Sequence, residues 1–376
     1  MRAGTSKGLF LHKRDLPAKQ EQWSPIILAA MGSADSDPRQ LNGIAGATST
    51  TSKVAVVAAS SKSGIDIEYT FIQVSIGSPQ LDFTGNCGNI ASGVGPFAID
   101  EGLVQVPPGK ETIDVRILNT NTGRVLVETL EIDRMGHFAE DGDYNLPGTF
   151  STGSTIGVAF EKPAGAMTGS LLPSGNAIDS LCIPGTIGRP ACVVQASLID
   201  AANPFVLVEA SSLPAVLHGK DPHSSFYLDF VEDVRRQGAV AMGLARDVQE
   251  AAKTRGTPKI AILSAANDPK TDLEVTAFSM GKVHGSLQLT GAVCLSTAVC
   301  TTGTVANRLL ATRYQSATQV RNNCFVDLGT SERNVTIRHP SGTISAEVRV
   351  HGGEVATVRL VRTARRLFEG NVCFIA

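Results

Sequence analysis

The sequence lacks any uninterrupted apolar run of the roughly 18 residues that a membrane-spanning helix needs. It is also poor in charge, since Asp, Glu, Lys and Arg make up 18% of its 376 residues and the formal net charge is −2. A chain with this charge has no excess of basic residues to attract nucleic acid, and it has no acidic tail. We therefore expect a small-molecule partner, with no role for nucleic acid or a membrane.

Paired cysteines are missing as well. The seven cysteines are scattered, and none forms a C-x-x-C pair or has a histidine at metal-ligand spacing. The pattern predicts neither a structural metal site nor a disulfide framework. Because the thiols are unpaired and no secretory signal is evident, we expect a cytoplasmic protein. The basic first twenty residues resemble a transit peptide, but they also carry a motif described below.

Length and a repeated order of elements predict two domains. In each half, strands lead through a Thr-Gly turn into an apolar helix, and the second turn, Thr290-Gly291, follows the first, Thr84-Gly85, by about half the length of the chain. This spacing suggests a duplicated domain. A segment rich in Gly, Ser, Thr and Pro places the crossover so that the domains are 1–182 and 183–371, with a last strand at 372–376 that can return to the first domain.

Hydrophobic periodicity predicts the individual elements. The expected helices are 18–31, 90–102, 228–253 and 287–310. The expected strands are 54–57, 65–76, 112–118, 125–132, 192–199, 205–208, 259–263, 273–278, 335–338, 344–350 and 355–361.

Two side chains stand out chemically. Cys87 lies in Gly-Asn-Cys-Gly-Asn, where a strand stops and a helix opens, so thiolate is favoured there and a carboxylate can be held. Lys53 ends a run of hydroxyl residues and enters an apolar strand. Partial burial there would lower the pKa of the lysine toward the range useful for a base. The simpler alternatives are a small buried thiol and a surface cation.

Six short motifs follow one another in an order that resembles a known family. They are Met-Arg-Ala-Gly-Thr-Ser-Lys-Gly at 1–8, Gly-Ala-Thr-Ser-Thr-Thr-Ser-Lys at 46–53, Gly-Asn-Cys-Gly-Asn at 85–89, Asn-Pro-Phe at 203–205, Ser-Met-Gly-Lys-Val-His at 279–284 and Val-Arg-Thr-Ala-Arg-Arg at 361–366. Together they resemble the methylaconitate isomerase (PrpF) family of the diaminopimelate-epimerase-like superfamily, which includes aconitate delta-isomerases and 4-oxalomesaconate tautomerases. The family usually has a strand before the first motif, which begins here at Met1.

The resemblance implies an α+β fold of two similar domains. Each would be a curved, barrel-like mixed or antiparallel sheet around a central helix, with the active site in the cleft between domains. Family members shift a proton along an unsaturated tri- or dicarboxylate without metal or organic cofactor, so we expect no cofactor. Lys53 and Cys87 match the two catalytic positions of the family, although which of them takes the proton first stays open.

The second half of the chain argues against one alternative. Epimerases and proline racemases of this superfamily use one thiol from each domain, whereas this chain has Gln288 and Leu289 before Thr290. Cys294 and Cys300 lie inside the apolar helix, where we expect them to be core residues. A two-thiol racemase is therefore disfavoured.

Further polar groups are expected to hold the substrate or to donate hydrogen bonds where negative charge develops. They are Arg2, Thr5, Ser6, Lys7, Ser52, Asn86, Gly88, Asn89, Asn203, Ser279, Lys282, His284, Thr290 and Gly291. The expected reaction is a 1,3-proton shift, as a double-bond or cis/trans isomerisation, on an aconitate-like tricarboxylate such as 2-methylaconitate.

Three alternatives to this reaction stay open. They are a keto-enol tautomerase of 4-oxalomesaconate-like acids, a two-base amino-acid epimerase and a non-catalytic carboxylate-binding protein. For the oligomeric state, we consider a homodimer.

Overall fold

The computed structural model describes residues 1–316 and 330–374, and for residues 313–316 it describes the backbone alone. The chain divides into two compact units. The first comprises Met1–Ala159 and Val361–Ala376, and the second comprises Phe160–Leu360. The predicted domains, 1–182 and 183–371, differ from these units, because the first unit already ends at Ala159 and the return to it already comes at Val361.

The segment after residue 160 belongs to the second unit for a physical reason. The Gly165 N–H donates to the Asp200 carbonyl at 2.7 Å, and the Ala202 N–H donates to the Pro163 carbonyl at 2.8 Å. These backbone bonds secure a segment that lacks periodicity in the sequence. The predicted strand at 372–376 is not formed at residues 372–374, and residues 375–376 lie outside the described residues.

The described residues of the first unit form short and medium strands with three α-helices. In chain order they are β1 (Arg2–Ala3), β2 (Ser6–Lys7), β3 (Leu9–His12), α1 (Trp23–Met31), β4 (Lys53–Ala59), β5 (Ile67–Val74), β6 (Leu81–Asp82), α2 (Gly88–Ala91), α3 (Val94–Asp100), β7 (Thr112–Asn119), β8 (Arg124–Glu131), β9 (Tyr144–Asn145), β10 (Thr152–Gly153) and β11 (Ile156–Glu161).

The second unit has a similar composition with longer helices. Its elements are β12 (Asp179–Ile183), β13 (Cys192–Ala201), β14 (Asn203–Glu209), α4 (Ser225–Ala241), α5 (Val248–Lys253), β15 (Lys259–Ala265), β16 (Leu273–Ser279), β17 (Lys282–Val283), α6 (Leu289–Val299), α7 (Val305–Ser316), β18 (Thr330–His339), β19 (Gly342–His351) and β20 (Glu354–Arg362). The chain has returned to the first unit at Val361, and β21 (Ala364–Arg365) follows there.

The main sheet is mixed in each unit. In the first unit the strand order is β11-β8-β7-β5-β4-β3, with β3 parallel to β4 and β5 parallel to β7. In the second unit the order is β12-β13-β14-β15-β16-β18-β19-β20, with β14 parallel to β15 and β16 parallel to β18. The other pairings of these sheets that bear on the site, β4 with β5 and β15 with β16, are antiparallel.

Alternation along the strands separates two faces of the first sheet. Val54, Ile72 and Val74 pack with Trp23 and Ile27 of α1 in one core cluster. Because successive side chains of a strand point to opposite faces, the residues between them face the side occupied by α2 and α3. Lys53 lies on that second face, as does its cross-strand partner on β5.

Three helices that the sequence predicts as single are each broken. The helix expected at 90–102 divides between α2 and α3 at Gly93, where a Cβ would lie 2.8 Å from the Phe10 ring. Where one helix is expected at 228–253, α4 ends before Gly243, which has φ of +71°, and α5 follows. The helix expected at 287–310 divides before Gly303, which has φ of +85°. Apolar periodicity continues across such breaks, so it does not reveal them.

The two units repeat the same strand pattern, but with a change of spacing. Lys53 begins β4 of the first unit and Lys259 begins β15 of the second, so these two lysines correspond. The helix α6 begins fewer residues after Lys259 than α2 begins after Lys53. The spacing differs because residues 75–80 separate β5 from β6, whereas only Met280 and Gly281 separate β16 from β17.

The predicted equivalence of the two Thr-Gly turns is therefore wrong in register. Thr290 and Gly291 lie in the first turn of α6, whereas Thr84 and Gly85 precede α2. The residue that corresponds to Cys87 at the N-cap of the helix is Gln288.

Candidate active site

Cys87 occupies the N-cap position of α2, with φ of −116° and ψ of 97°. From Gly85 to Ile99 every residue is buried except Cys87, which is partly exposed. The thiol is thus presented from an otherwise buried segment. Because α2 has 4 residues, its dipole is that of a single turn, so the anion-binding strength predicted from the helix start is reduced.

Lys53 lies at the start of β4 with 8% of its surface exposed. Its Nζ donates to Gln73 Oε1 at 2.5 Å and lies 5.0 Å from the centroid of the Phe71 ring. The Gln73 amide is held in turn, because its Nε2 donates to the Ser52 carbonyl at 2.9 Å. Among the described residues, no carboxylate forms an ion pair with Lys53. The burial that the sequence predicts for Lys53 is confirmed.

Residues from three distant motifs meet at the start of α2. Asn89 Nδ2 donates to Thr5 Oγ1 at 3.1 Å, and Arg362 Nε donates to Asn89 Oδ1 at 3.1 Å. Gly4, with φ of +52°, closes this cluster, because a Cβ there would clash with Asn89 Oδ1. The Gly4 N–H donates to the Thr363 carbonyl at 2.9 Å. Sequence reasoning missed Arg362, although it lies in one of the six motifs.

Two buried polar groups lie on the same side of the sheet as α3. Tyr69 and Glu128 have no exposed surface, and Glu128 Oε2 accepts a hydrogen bond from the Gly95 N–H at 2.9 Å. Burial raises the pKa of Glu128 well above its ordinary value, so this carboxyl is neutral over a wide pH range. Burial also raises the pKa of Tyr69, with smaller contributions from Cys87 and Glu128. Neither residue was predicted from the sequence.

Several predicted substrate ligands of the first unit are engaged within the protein. Ser52 is fully buried, and its hydroxyl donates to Gln40 Oε1 at 2.6 Å. Asn86 is buried and its Oδ1 lies 3.4 Å from Asn119 Nδ2. These contacts give Ser52 and Asn86 structural roles that local sequence does not reveal.

The two predicted cations of the N-terminal turn lie apart from Ser6. Arg2 pairs with Lys7 across β1 and β2, so both side chains share one face while Ala3 and Ser6 share the other. Arg2 Nη1 donates to the Thr363 carbonyl and hydroxyl at 2.9 Å each. Lys7 lines a groove of about 610 Å³ that Met1 and Arg366 also line.

The predicted ligands of the second unit fall into two places. Asn203 and Thr290 are buried, and Asn203 Nδ2 lies 3.4 Å from Thr290 Oγ1. This contact repeats the Thr5–Asn89 pair of the first unit with the amide and the hydroxyl exchanged. A Cβ on Gly291 would lie 3.0 Å from the Phe205 ring, which explains the glycine.

The Ser-Met-Gly-Lys-Val-His motif forms a tight turn. Ser279 pairs with Lys282, and the two residues between them, Met280 and Gly281, have φ of +53° and +74°. Positive φ at both central residues is typical of a type I′ hairpin. Lys282 is exposed, whereas His284 is buried with Nδ1 2.8 Å from the Ser286 carbonyl.

Two further groups of the second unit were not predicted as site residues. Gln288 takes the helix position that corresponds to Cys87, is 8% exposed, and its Oε1 has no hydrogen-bond partner among the described residues. Lys259, which corresponds to Lys53, has its Nζ 5.8 Å from the centroid of the Phe205 ring. The N-cap position reveals the correspondence of Gln288, and the start of β15 reveals that of Lys259, whereas composition reveals neither.

The other thiols have environments unlike that of Cys87. Cys294 is fully buried, and burial raises its pKa well above the ordinary range. Burial likewise raises the pKa of Cys300 to about 11. The prediction that Cys294 is a core residue is confirmed. The same prediction for Cys300 is wrong, because Cys300 follows the last residue of α6 and is partly exposed.

Metal-ligating clusters and membrane spans are both absent from the described residues. No group of three or more His, Cys, Asp and Glu side chains in that part of the chain could hold a metal ion. Within the same residues, no helix combines the length and apolar character that crossing a bilayer needs.

Comparison with known proteins places the site in a family context. The model of the family described as PrpF protein matches residues 1–375. The 2-methyl-aconitate isomerase of Shewanella oneidensis is 34% identical over 99% of this chain and 95% of its own length. The 4-oxalomesaconate tautomerase of Pseudomonas putida is 35% identical over 99% of this chain and 94% of its own.

A solved structure agrees with the fold. The crystal structure of methylitaconate-delta-isomerase superimposes with a TM-score of 0.72 and 34% identity, covering 98% of this chain and 92% of that one. The predicted fold class, with mixed sheets and helices arranged as in isomerases of this type, is confirmed. The match to the family model over residues 1–375, together with relatives similar along nearly their whole length, shows that the chain belongs to the PrpF family.

Proposed function

We propose that this protein is an isomerase that shifts a proton between two carbons of an unsaturated, aconitate-like carboxylate. One observation carries the proposal: Lys53, buried and bonded to a neutral amide, lies on the sheet face that α2 covers, and α2 begins at the partly exposed Cys87. The activities named for the relatives, on methylaconitate and oxalomesaconate, support the same class of substrate. The proposed reaction uses no metal or organic cofactor.

The chemistry needs one base and one acid. An allylic C–H next to a double bond conjugated with a carboxylate can lose its proton, because the electron pair left behind delocalises into that carboxylate as a dienolate. Either Lys53 or Cys87 accepts the proton, and the other group protonates the carbon two positions away while the double bond moves. Donors beside Cys87, such as Thr5 and the backbone N–H groups of Gly88 and Asn89, would stabilise the intermediate charge.

A second candidate reaction has specific support. The Pseudomonas putida relative is a 4-oxalomesaconate tautomerase at 35% identity over 99% of this chain. Keto-enol tautomerisation of a similar acid needs the same base and acid, but it moves a proton between carbon and oxygen. NMR of the product from each acid separates the two reactions.

The test follows the proton. Each candidate acid, namely trans-aconitate, its methyl homologue, an itaconate-type acid and oxalomesaconate, is incubated with enzyme in deuterated buffer. We expect solvent deuterium in the product of one of them. Lys53→Met and Cys87→Ser should each lower kcat by roughly 100-fold or more, because each removes a proton-transfer group.

Matched controls separate chemistry from general damage. Lys62→Met removes an exposed lysine whose partner is Glu68, and Cys182→Ser removes an exposed thiol. Both controls should keep the turnover of the unmodified protein. Full activity in Lys53→Met and Cys87→Ser would refute the assignment of the two residues.

Two broader expectations stay predictions. The homodimer would be measured by light scattering of the purified protein. The cytoplasmic location would be measured by fractionating cells that express the chain.

A further inference from the structure

Three arginines are buried among the described residues, and one of them differs from the others. Arg189 Nη2 lies 2.6 Å from Asp233 Oδ2, and Arg235 Nε lies 2.8 Å from Glu232 Oε2. Arg362, with 3% of its surface exposed, forms no ion pair with a carboxylate in the part of the chain that the structure describes. Its charge is therefore buried without a counter-charge from those residues.

The contacts of Arg362 are with neutral groups. Its Nε donates to Asn89 Oδ1 at 3.1 Å and its Nη1 donates to the Val361 carbonyl at 2.8 Å. Burial lowers the pKa of Arg362 to about 10, so the guanidinium still carries its charge at neutral pH. Burying a charge without a partner opposes folding, whereas an anion that arrives later would offset this cost.

The surroundings hold Arg362 at the thiol-bearing turn. Asn89, two residues after Cys87, accepts from Arg362 and donates to Thr5, so its amide orientation is set by both neighbours. The Gly4 backbone lies against the same pair, because a Cβ there would be 3.2 Å from Arg362 Cδ. The guanidinium is thus a built part of the candidate active site.

The two cations that the sequence predicts as substrate ligands in the first unit, Arg2 and Lys7, have other surroundings. Arg2 bonds to Thr363, and Lys7 lines the groove with Met1. Within the described part of the chain, Arg362 is the cation that bonds to Asn89 directly.

We infer that Arg362 binds one carboxylate of the substrate in the first unit's site. The inference rests on the proposed function for the nature of the anion, an unsaturated di- or tricarboxylate. Charge-assisted hydrogen bonds from a guanidinium to a carboxylate are strong and directional, so Arg362 would also orient the substrate relative to Cys87. Its interaction would persist in the dienolate, where the negative charge increases.

The test uses a ligand that cannot react. Tricarballylate has the three carboxylates of aconitate but no double bond, so its binding is measured by calorimetry without turnover. Arg362→Met should weaken binding by about 10- to 150-fold, as expected for losing a hydrogen-bonded charge. Arg362→Lys should weaken it less, because a point charge remains. Arg349→Met, an exposed arginine paired with Glu332, is the matched control and should bind as the unmodified protein does.

Stability without ligand distinguishes binding from a structural role. Replacing an unpaired buried charge by an apolar side chain should leave the thermal midpoint of Arg362→Met roughly unchanged. Unchanged tricarballylate affinity in Arg362→Met would overturn the inference, whether or not the midpoint falls. Failure of the unmodified protein to bind tricarballylate would also overturn it. If Arg362→Met does not fold, unchanged tricarballylate affinity in Arg362→Lys would overturn the inference.

The two proposals can fail separately. Arg362-dependent binding of tricarballylate without deuterium exchange on any unsaturated acid would support the carboxylate site and refute the isomerase. Deuterium exchange that is unaffected in Arg362→Met, in KM as well as kcat, would support the isomerase and refute the role of Arg362.

Discussion

Replacing the buried Glu128 by glutamine should stabilise the protein increasingly as the pH rises. The native carboxyl has no exposed surface, and burial holds its pKa well above the ordinary value of 4.5. Below pH 4.5 the group is protonated in both the folded and the unfolded chain, so it adds no pH dependence. Above this pH the unfolded carboxyl ionises while the native one stays neutral, and the free energy of unfolding falls.

The magnitude follows from proton linkage. The fall is about 1.4 kcal/mol for each pH unit until the native carboxyl itself ionises. The Glu128→Gln side chain keeps an oxygen for the Gly95 N–H and has no charge to bury. At the position of Oε1, where no partner is found among the described residues, the protonated acid has one O–H donor and the amide has an NH₂ group with two N–H donors. The exchange is therefore close in shape and removes the titrating group.

The assay compares urea unfolding of the two proteins at several pH values from 4 to 8. We expect the free-energy difference, variant minus parent, to rise from pH 4.5 upward. Glu354→Gln, at an exposed position, is the control and should give a flat difference. A flat or falling difference for Glu128→Gln would show that the native carboxyl is ionised and would refute the reasoning.

Two further predictions concern stability. Tyr69→Phe removes a fully buried hydroxyl without a partner among the described residues, so urea unfolding should show no loss, or a gain of up to about 1 kcal/mol. Gly4→Ala should cost more than Gly64→Ala, although their φ angles are +52° and +74°, because only the Gly4 Cβ would meet other atoms. We expect about 1 kcal/mol from backbone strain in both and a further loss, with reduced turnover, for Gly4→Ala alone. Equal losses in the two glycine variants would contradict the packing argument.

Much of the fold was predictable because the relevant patterns are local. The predicted strand at 259–263 appears as β15 and that at 344–350 within β19, since alternation and β-branched residues specify an extended chain over a few residues. The breaks at Gly93 and Gly243 were not predicted. Such a break depends on what packs against the glycine or on a positive φ, and neither affects apolar periodicity.

The candidate site was predicted in part. Cys87 and Lys53 lie in recognisable motifs, and their partial exposure and burial agree with the expected chemistry. Ser52 lies in the same motif as Lys53, yet its hydroxyl bonds to Gln40 within the fold. Motif membership therefore indicates a place near the site, but it does not tell which way a side chain points.

The sequence by itself determined the family, most of the longer strands, and the two side chains proposed for proton transfer. Tertiary structure alone decided that Arg362 reaches Asn89, a contact between residues 273 positions apart. It also decided that Gln288 takes the helix position corresponding to Cys87. The physical reason is that local patterns specify backbone conformation and the buried face, whereas the partner of a buried charge depends on which distant segments the sheets bring together.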